Sequence, residues 1–202
     1  STLSKNKIKK WRTKDLTIPN IHLDLASHLL SLIIYFFETV PLKVNSFEIK
    51  NLKNSYIDNA FTWLKFKKFV GHLWFSKNAT GKRNELSIQI FGSKGSLHWI
   101  HSNPEEVRFC DNNGNISIIN RLSKNTKYLS DKKLFTYSPG HPGGFLDAFI
   151  NVYNQIYYLY NNQKTRIPIL LSLKNNLDVV KSLDSIHSSS IKKKWLSVLT
   201  KK

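Results

Sequence analysis

Short apolar runs separated by turn sequences fill the middle of the chain, and this pattern restricts the fold more than any other feature. Many residues in these runs are β-branched or aromatic, and apolar positions recur with a period close to two, which is typical of β-strands. The turns between them are rich in Asn, Gly and Ser, and Lys67-Lys68 and residues 92–95 are predicted hairpin tips. Consecutive strands joined by tight turns predict an antiparallel meander. The predicted strands are residues 44–50, 60–66, 70–76, 85–91, 96–100, 107–110 and 116–121.

Three flanking segments have a helical period instead. Apolar residues recur every three or four positions in residues 21–37, 145–160 and about 170–188. Pro168 and the sequence Pro142-Gly143-Gly144 precede the last two segments, where helix starts are expected. The order helix, strands, helix, helix predicts an α+β fold: a large, mostly antiparallel open sheet with helices packed on one face.

The other face of the predicted sheet is not expected to meet water. Bulky apolar residues occupy both faces of two strands, as Trp63 beside Leu64 and Trp74 beside Leu73 illustrate. A surface of this kind is usually covered by a partner, and a second copy is the simplest one. We therefore expect a homo-oligomer, most simply a homodimer, formed through the open sheet face.

Composition excludes several classes of protein. The chain has 202 residues, 41% of them hydrophobic, which is enough for a packed core. Its one cysteine, Cys110, excludes an internal disulfide and a cysteine-based zinc site, and it favours a reducing, cytoplasmic location. The longest apolar run, residues 29–37, is far shorter than the roughly 20 residues needed to cross a bilayer, so no membrane partner is expected.

The formal net charge of +18 raises the question of nucleic acid binding. The basic residues are spread along the chain and are mostly lysines, whereas base and phosphate recognition favours arginine. Solvated surfaces explain this charge better, and nucleic acid is not an expected partner.

The start of the chain differs from the rest. Residues 1–20 are polar and basic, have no apolar period, and end at Pro19-Asn20, so we expect a lead-in loop followed by one domain over residues 21–202. The sequence begins with Ser1 and contains no methionine, and we therefore expect it to be part of a longer protein.

His22, Asp24 and His28 form the most suggestive cluster of reactive side chains. On an α-helix, Asp24 and His28 share one face, where a carboxylate can orient an imidazole for proton transfer. A structural hydrogen-bonding pair is the common alternative for such residues. A metal site made of these three residues lacks the His-Glu-x-x-His spacing and further ligands, so no metal site is predicted.

The glycine-rich segment Gly140-His141-Pro142-Gly143-Gly144 is a second candidate. Free backbone amides at a helix entrance can hold an anion or a sugar hydroxyl, and a tight structural connection is the alternative. No glycine fingerprint for a dinucleotide, P-loop or nucleophile elbow occurs in the chain, so no cofactor-binding residue is predicted within it.

Four stretches, in the same order along the chain, resemble the Gfo/Idh/MocA oxidoreductases, the family of glucose-fructose oxidoreductase and inositol dehydrogenase. The segment from Asp24 to Leu30 is similar to the family's D-x-G-x-H motif. The resemblance covers residues 11–198 and corresponds to the C-terminal domain alone, so the nucleotide-binding Rossmann domain would precede Ser1. The other three stretches are residues 81–104, with Gly92-Ser93-Lys94-Gly95 at their centre, residues 140–149, and residues 183–196.

The resemblance implies roles for individual residues. His28 would be the catalytic acid/base on a substrate hydroxyl, and Asp24 would orient it or bind substrate. His141 would lie near a sugar ring, and Trp11 and Arg12 would reach the substrate pocket. NAD or NADP would be bound by the preceding domain and not by this chain.

Two functional hypotheses remain open. In the first, the chain is the substrate-binding and oligomerisation domain of an NAD(P)-dependent oxidoreductase acting on the CH–OH group of a sugar or polyol, and is inactive in isolation. Pro19-Asn20 and Ala26 replace glycines that the family usually has near the catalytic motif. The alternative is therefore a noncatalytic dimerisation or interaction module with a decayed active site.

Overall fold

A computed structural model describes residues 15–52, 56–124, 137–138, 140–141, 143–163 and 173–198. The predicted α+β class with antiparallel strands is confirmed. The helical elements are a π-helical segment His22–Ala26, α1 Ser27–Phe37, α2 Phe145–Tyr160 and α3 Leu173–Lys192. The strands are β1 Lys43–Lys50, β2 Ile57–Lys65, β3 Val70–Ser76, β4 Ser87–Gly92, β5 Gly95–Ile100, β6 Val107–Asp111, β7 Ile116–Ile119 and β8 Leu196–Ser197.

The chain divides into two compact units. The first combines Ser1–Arg83 with Leu170–Lys202, and the second is Asn84–Ile169. Each unit has a four-stranded antiparallel sheet in the described part of the chain, where the sequence predicts one continuous meander. The long connection between Ser76 and Ser87 separates β3 from β4. One domain over residues 21–202 stays a prediction.

The sheet of the first unit has the strand order β3-β2-β1-β8. Phe47 lies opposite Phe61, and Phe61 lies opposite Trp74, so three aromatic residues form a row across the sheet. The strand β8, which pairs Leu196 with Val44, is not among the predicted strands. A two-residue strand carries too little periodicity to be recognised without its partner.

Burial alternates along these strands and places the core on one face of the sheet. Val44, Ala60 and Leu64 are fully buried, whereas Phe47 and Trp63 are 66% and 54% exposed. The helix α3 packs on β1, and α1 packs on α3. The core of this unit is formed by residues including Ile21, Leu30, Leu73, Phe75, Leu183 and Ile186.

Serine hydroxyls fix α3 against β1 inside this core. The Ser189 hydroxyl accepts a hydrogen bond from the Ser46 amide at 3.2 Å, and the Ser190 hydroxyl accepts one from the Glu48 amide at 3.2 Å. The Ser46 hydroxyl also lies 2.9 Å from that of Thr62. Because these polar groups are paired, burying them costs little, and they fix the position of α3 along the strand.

The second unit has the sheet order β4-β5-β6-β7. Its β4–β5 hairpin confirms the predicted tip at residues 92–95, with Gly92 paired to Gly95. Gly95 has a φ of +141°, and a Cβ atom there would lie 2.2 Å from the carbonyl oxygen of Cys110. Only glycine allows β6 to approach this closely. Among the helices that the structure describes, none has the length and apolar character needed to cross a membrane.

Candidate functional site

The candidate catalytic residues Asp24 and His28 lie where a π-helical turn passes into α1. The Ser27 amide donates to the carbonyl of His22, five residues earlier, and the Ser27 hydroxyl donates to the Leu23 carbonyl at 2.7 Å. A π-turn holds one more residue than an α-turn and is frequent at functional sites. Asp24 lies inside this widened turn and His28 lies in the first turn of α1.

Asp24 is paired with a lysine. Its Oδ2 lies 3.2 Å from Nζ of Lys77, and the lysine side chain is 9% exposed against 38% for the carboxylate. Lys77 Nζ also donates to Asn20 Oδ1. These contacts fix the lysine at the end of β3, beside the start of the helix.

His28 is exposed, and within the described part of the chain no hydrogen bond joins it to Asp24. The expected contact between Asp24 and His28 requires α-helical geometry between the two positions. The π-turn changes the rotation per residue and so changes the angle between the two side chains. The imidazole is accessible to a ligand, while the carboxylate is held by Lys77.

His141 lies in the second unit, in the turn that precedes α2. Its Nδ1 lies 3.2 Å from the Ser138 carbonyl, and its ring stacks at 6.3 Å on Tyr137. The N-cap residue Gly144 has a φ of +99°, and its amide donates to Oδ2 of Asp147 at 3.3 Å. His141 is exposed. Its role as a sugar contact stays a prediction, and Trp11 and Arg12 lie outside the described residues.

A second group of reactive side chains is buried in the first unit and consists of His22, Glu48 and His187. His22 Nε2 lies 2.6 Å from Glu48 Oε1, and His187 Nδ1 lies 3.0 Å from Oε2 of the same carboxylate. The side chains of His22, Glu48 and His187 are 0%, 5% and 18% exposed. We call these three residues the His–Glu–His cluster.

Of these three residues, only His22 is among the candidate residues predicted from the sequence. Glu48 follows Val44 and Ser46 at the spacing of two that places side chains on one face of a strand, so a carboxylate at an inward position was the available signal. His187 lies on α3, in one of the four motif stretches. Nothing in the linear sequence relates positions 48 and 187, because the packing of α3 on β1 brings them together.

A cavity of about 490 Å³ lies beside this cluster. Glu48 and His187 line it, together with Asp15, Lys50 and Lys193. Asp15 is already engaged, since its two carboxylate oxygens accept the backbone amides of Asn20 and Ile57 at 3.1 and 3.0 Å. The cavity therefore presents one imidazole, one buried carboxylate and two lysine side chains to a ligand.

Comparisons with known proteins give the family context. Residues 2–98 match the family model described as the GFO/IDH/MocA C-terminal domain. No curated protein sequence matches the chain.

Solved structures share the fold. An inositol dehydrogenase homolog from Azotobacter vinelandii, complexed with NADH and myo-inositol, is 19% identical with a TM-score of 0.76 over 93% of this chain and 52% of that chain. Levoglucosan dehydrogenase, complexed with NADH and L-sorbose, is 16% identical with a TM-score of 0.78 over 96% and 54%. An oxidoreductase from Sinorhizobium meliloti is 19% identical with a TM-score of 0.74 over 87% and 52%.

The chain spans about half the length of these structures. At this level of identity, the likeness to the solved structures establishes the fold alone. The evidence for the family comes from the family model. The family match includes the first of the four stretches and most of the second, and the stretches at residues 140–149 and 183–196 lie outside it. The resemblance to the oxidoreductases of the Gfo/Idh/MocA family is therefore confirmed. Residues 2–98 correspond to the C-terminal domain of that family.

Proposed function

We propose that the chain provides the substrate-binding residues and the subunit interface of an NAD(P)-dependent oxidoreductase. The enzyme would act on the CH–OH group of a sugar or polyol. The observation that carries this proposal is the exposed His28 imidazole at the π-to-α transition, within a D-x-x-x-H sequence. The solved relatives with bound myo-inositol and L-sorbose support the substrate class.

In this reaction His28 acts as the general base. An imidazole nitrogen takes the hydroxyl proton while the hydride on the same carbon leaves, so the alcohol becomes a carbonyl and the ring becomes an imidazolium. The nicotinamide supplies the hydride acceptor when it is bound. In the reverse direction the imidazolium returns the proton to the forming alcohol.

Asp24 and Lys77 act as positioning and binding residues. Their ion pair at 3.2 Å places one carboxylate and one ammonium beside the start of α1, where His28 lies. A carboxylate accepts and an ammonium donates hydrogen bonds, so together they suit the neighbouring hydroxyls of a polyol. His141, in the second unit, is proposed separately as a sugar contact, as the family resemblance implies.

The test is the substitution His28→Asn in a full-length protein that carries this chain with a nicotinamide-binding domain. We expect turnover to fall by about 10²- to 10⁴-fold, the usual contribution of a positioned acid/base, with the dissociation constant for the coenzyme unchanged. His101→Asn is the matched control, since His101 is also exposed and lies in the other unit. Equal turnover of the two variants would refute the role of His28.

One observation favours the second candidate, a noncatalytic pairing module. Asp24 is neutralised by Lys77, and in the described structure it makes no hydrogen bond to His28. In a decayed site, the carboxylate that would orient the imidazole is expected to be paired with another group. The same experiment separates the two hypotheses. A noncatalytic module has no turnover in the unmodified protein, so His28→Asn has no activity to lower.

A further inference from the structure

We propose that the His–Glu–His cluster is a binding site for a divalent transition-metal ion of the zinc type. Its ligands would be His22 Nε2, the Glu48 carboxylate and His187 Nδ1. These three donor atoms lie within 4.8 Å of one another. The inference concerns residues of this chain alone and does not depend on the dehydrogenase proposal.

The donor set matches the chemistry of zinc sites. Two imidazole nitrogens and one carboxylate oxygen are the protein ligands of many open zinc centres, which keep a fourth position for water. Nitrogen donors favour zinc over the hard cations magnesium and calcium, which prefer oxygen. The cluster also has a single carboxylate, so a divalent ion leaves the site with one positive charge.

The two nitrogen–carboxylate distances are close to those of a zinc site. Donor atoms held tetrahedrally at about 2.0 Å from one zinc ion lie about 3.3 Å apart. With Glu48 Oε1 as the carboxylate ligand, the distance from His187 Nδ1 to that oxygen is 3.1 Å, close to this value. His22 Nε2 and Glu48 Oε1 lie 2.6 Å apart and need to separate by about 0.7 Å.

The surrounding structure holds the ligands in place. They come from three elements: the π-helical segment, β1 and α3. The Ser190 hydroxyl accepts a hydrogen bond from the backbone amide of Glu48. The His22 ring packs edge-on against Phe75 at 5.2 Å, and its Nδ1 is buried with no hydrogen-bond partner in the described part of the chain. Nε2 is the ring nitrogen that faces the Glu48 carboxylate, so it is the atom available to a metal ion there.

The cavity supplies the open coordination position. Glu48 and His187 line it, whereas His22 lies fully buried behind them. An ion between these residues would be reached from the cavity, and its fourth ligand would be a water molecule there. Lys50 and Lys193 line the same cavity, and their charges favour a hydroxide or another anion at that position.

The primary test uses the unmodified, tag-free chain after removal of metals with EDTA. We expect Co²⁺ to bind at one equivalent and give the visible absorption bands of a four- or five-coordinate ion, and Zn²⁺ to displace it. In nuclear magnetic resonance spectra, Zn²⁺ should shift the ring signals of His22 and His187 and leave those of His72 and His101 in place. Absence of a saturable one-equivalent spectrum, or shifts confined to the exposed histidines, would overturn the proposal.

Variants provide the second test. His187→Asn changes the most exposed ligand of the three and should lower zinc affinity by more than about 100-fold, while His101→Asn leaves it unchanged. Thermal melts in EDTA establish that both variants are folded, and adding Zn²⁺ should raise the Tm of the control but not of His187→Asn. A folded His187→Asn chain that binds zinc like the control would contradict the assignment.

Discussion

At the scale of single residues, Asp111 shows how local hydrogen bonds tune a carboxyl group. Hydrogen bonds hold the pKa of Asp111 below its ordinary value. The Asn115 side chain has the largest effect, and the Asn115 and Asn113 amides add to it. The Asn115 Nδ2 donates to Oδ2 at 2.9 Å, and the Asn113 amide donates to Oδ1 at 2.8 Å. These contacts favour the ionised carboxylate and shape the turn between β6 and β7.

The first prediction concerns the pH dependence of this turn. Because the folded-state pKa is lowered, the stabilisation is present above the ordinary aspartate pKa and is lost as the pH falls through the lowered value. Asn115→Ala removes the largest contribution and should raise the Asp111 pKa, measured by carbon NMR titration of its carboxyl. Asn112→Ala is the control, because its side chain donates to the Ser93 carbonyl instead. An unchanged pKa in Asn115→Ala would contradict this account.

At the scale of elements, the β4–β5 hairpin depends on one glycine. Gly95→Ala combines a positive φ with a contact of 2.2 Å to the Cys110 carbonyl, so we expect the free energy of unfolding to fall by about 2 kcal/mol or more. Gly114→Ala is the matched control, because its φ is +81° and its Cβ would meet nothing within 4 Å. Urea denaturation measures both variants, and an equal loss would show that the close approach to β6 carries no cost.

At the scale of the whole molecule, the open face of the first sheet is a candidate subunit interface. The rings of Phe61 and Trp74 stack at 6.3 Å, and those of Trp63 and His72 lie 4.9 Å apart. The Trp63 and Trp74 side chains remain 54% and 45% exposed. Preordered aromatic side chains lose little entropy on association, and apolar patches of this kind mark protein interaction sites.

We therefore predict that the chain is a dimer at micromolar concentration, with an interface of well over about 1,000 Å². Trp63→Glu places a charge in the centre of this face and should give a monomer by sedimentation velocity. Phe91→Glu is the control, since Phe91 is 79% exposed in the other sheet. A monomeric parent chain, or a dimeric Trp63→Glu variant, would contradict the predicted interface.

The elements of this fold were predictable because their causes are local. Strand periodicity, turn residues and helix starts lie within a few positions of each other, and the predicted helix at residues 145–160 coincides with α2. The predicted strand at residues 70–76 coincides with β3 for the same reason. Motif order along the chain was also enough to recognise the family that residues 2–98 match.

Tertiary packing decided the rest. The sequence by itself placed Asp24 and His28 near each other, but the π-turn and the ion pair with Lys77 determine how each side chain is used. The division of the strands into two sheets and the pairing of β8 with β1 depend on which strands meet in space. The His–Glu–His cluster joins positions 22, 48 and 187, and these meet because α3 packs on β1 while the π-helical segment packs on β3 and α3.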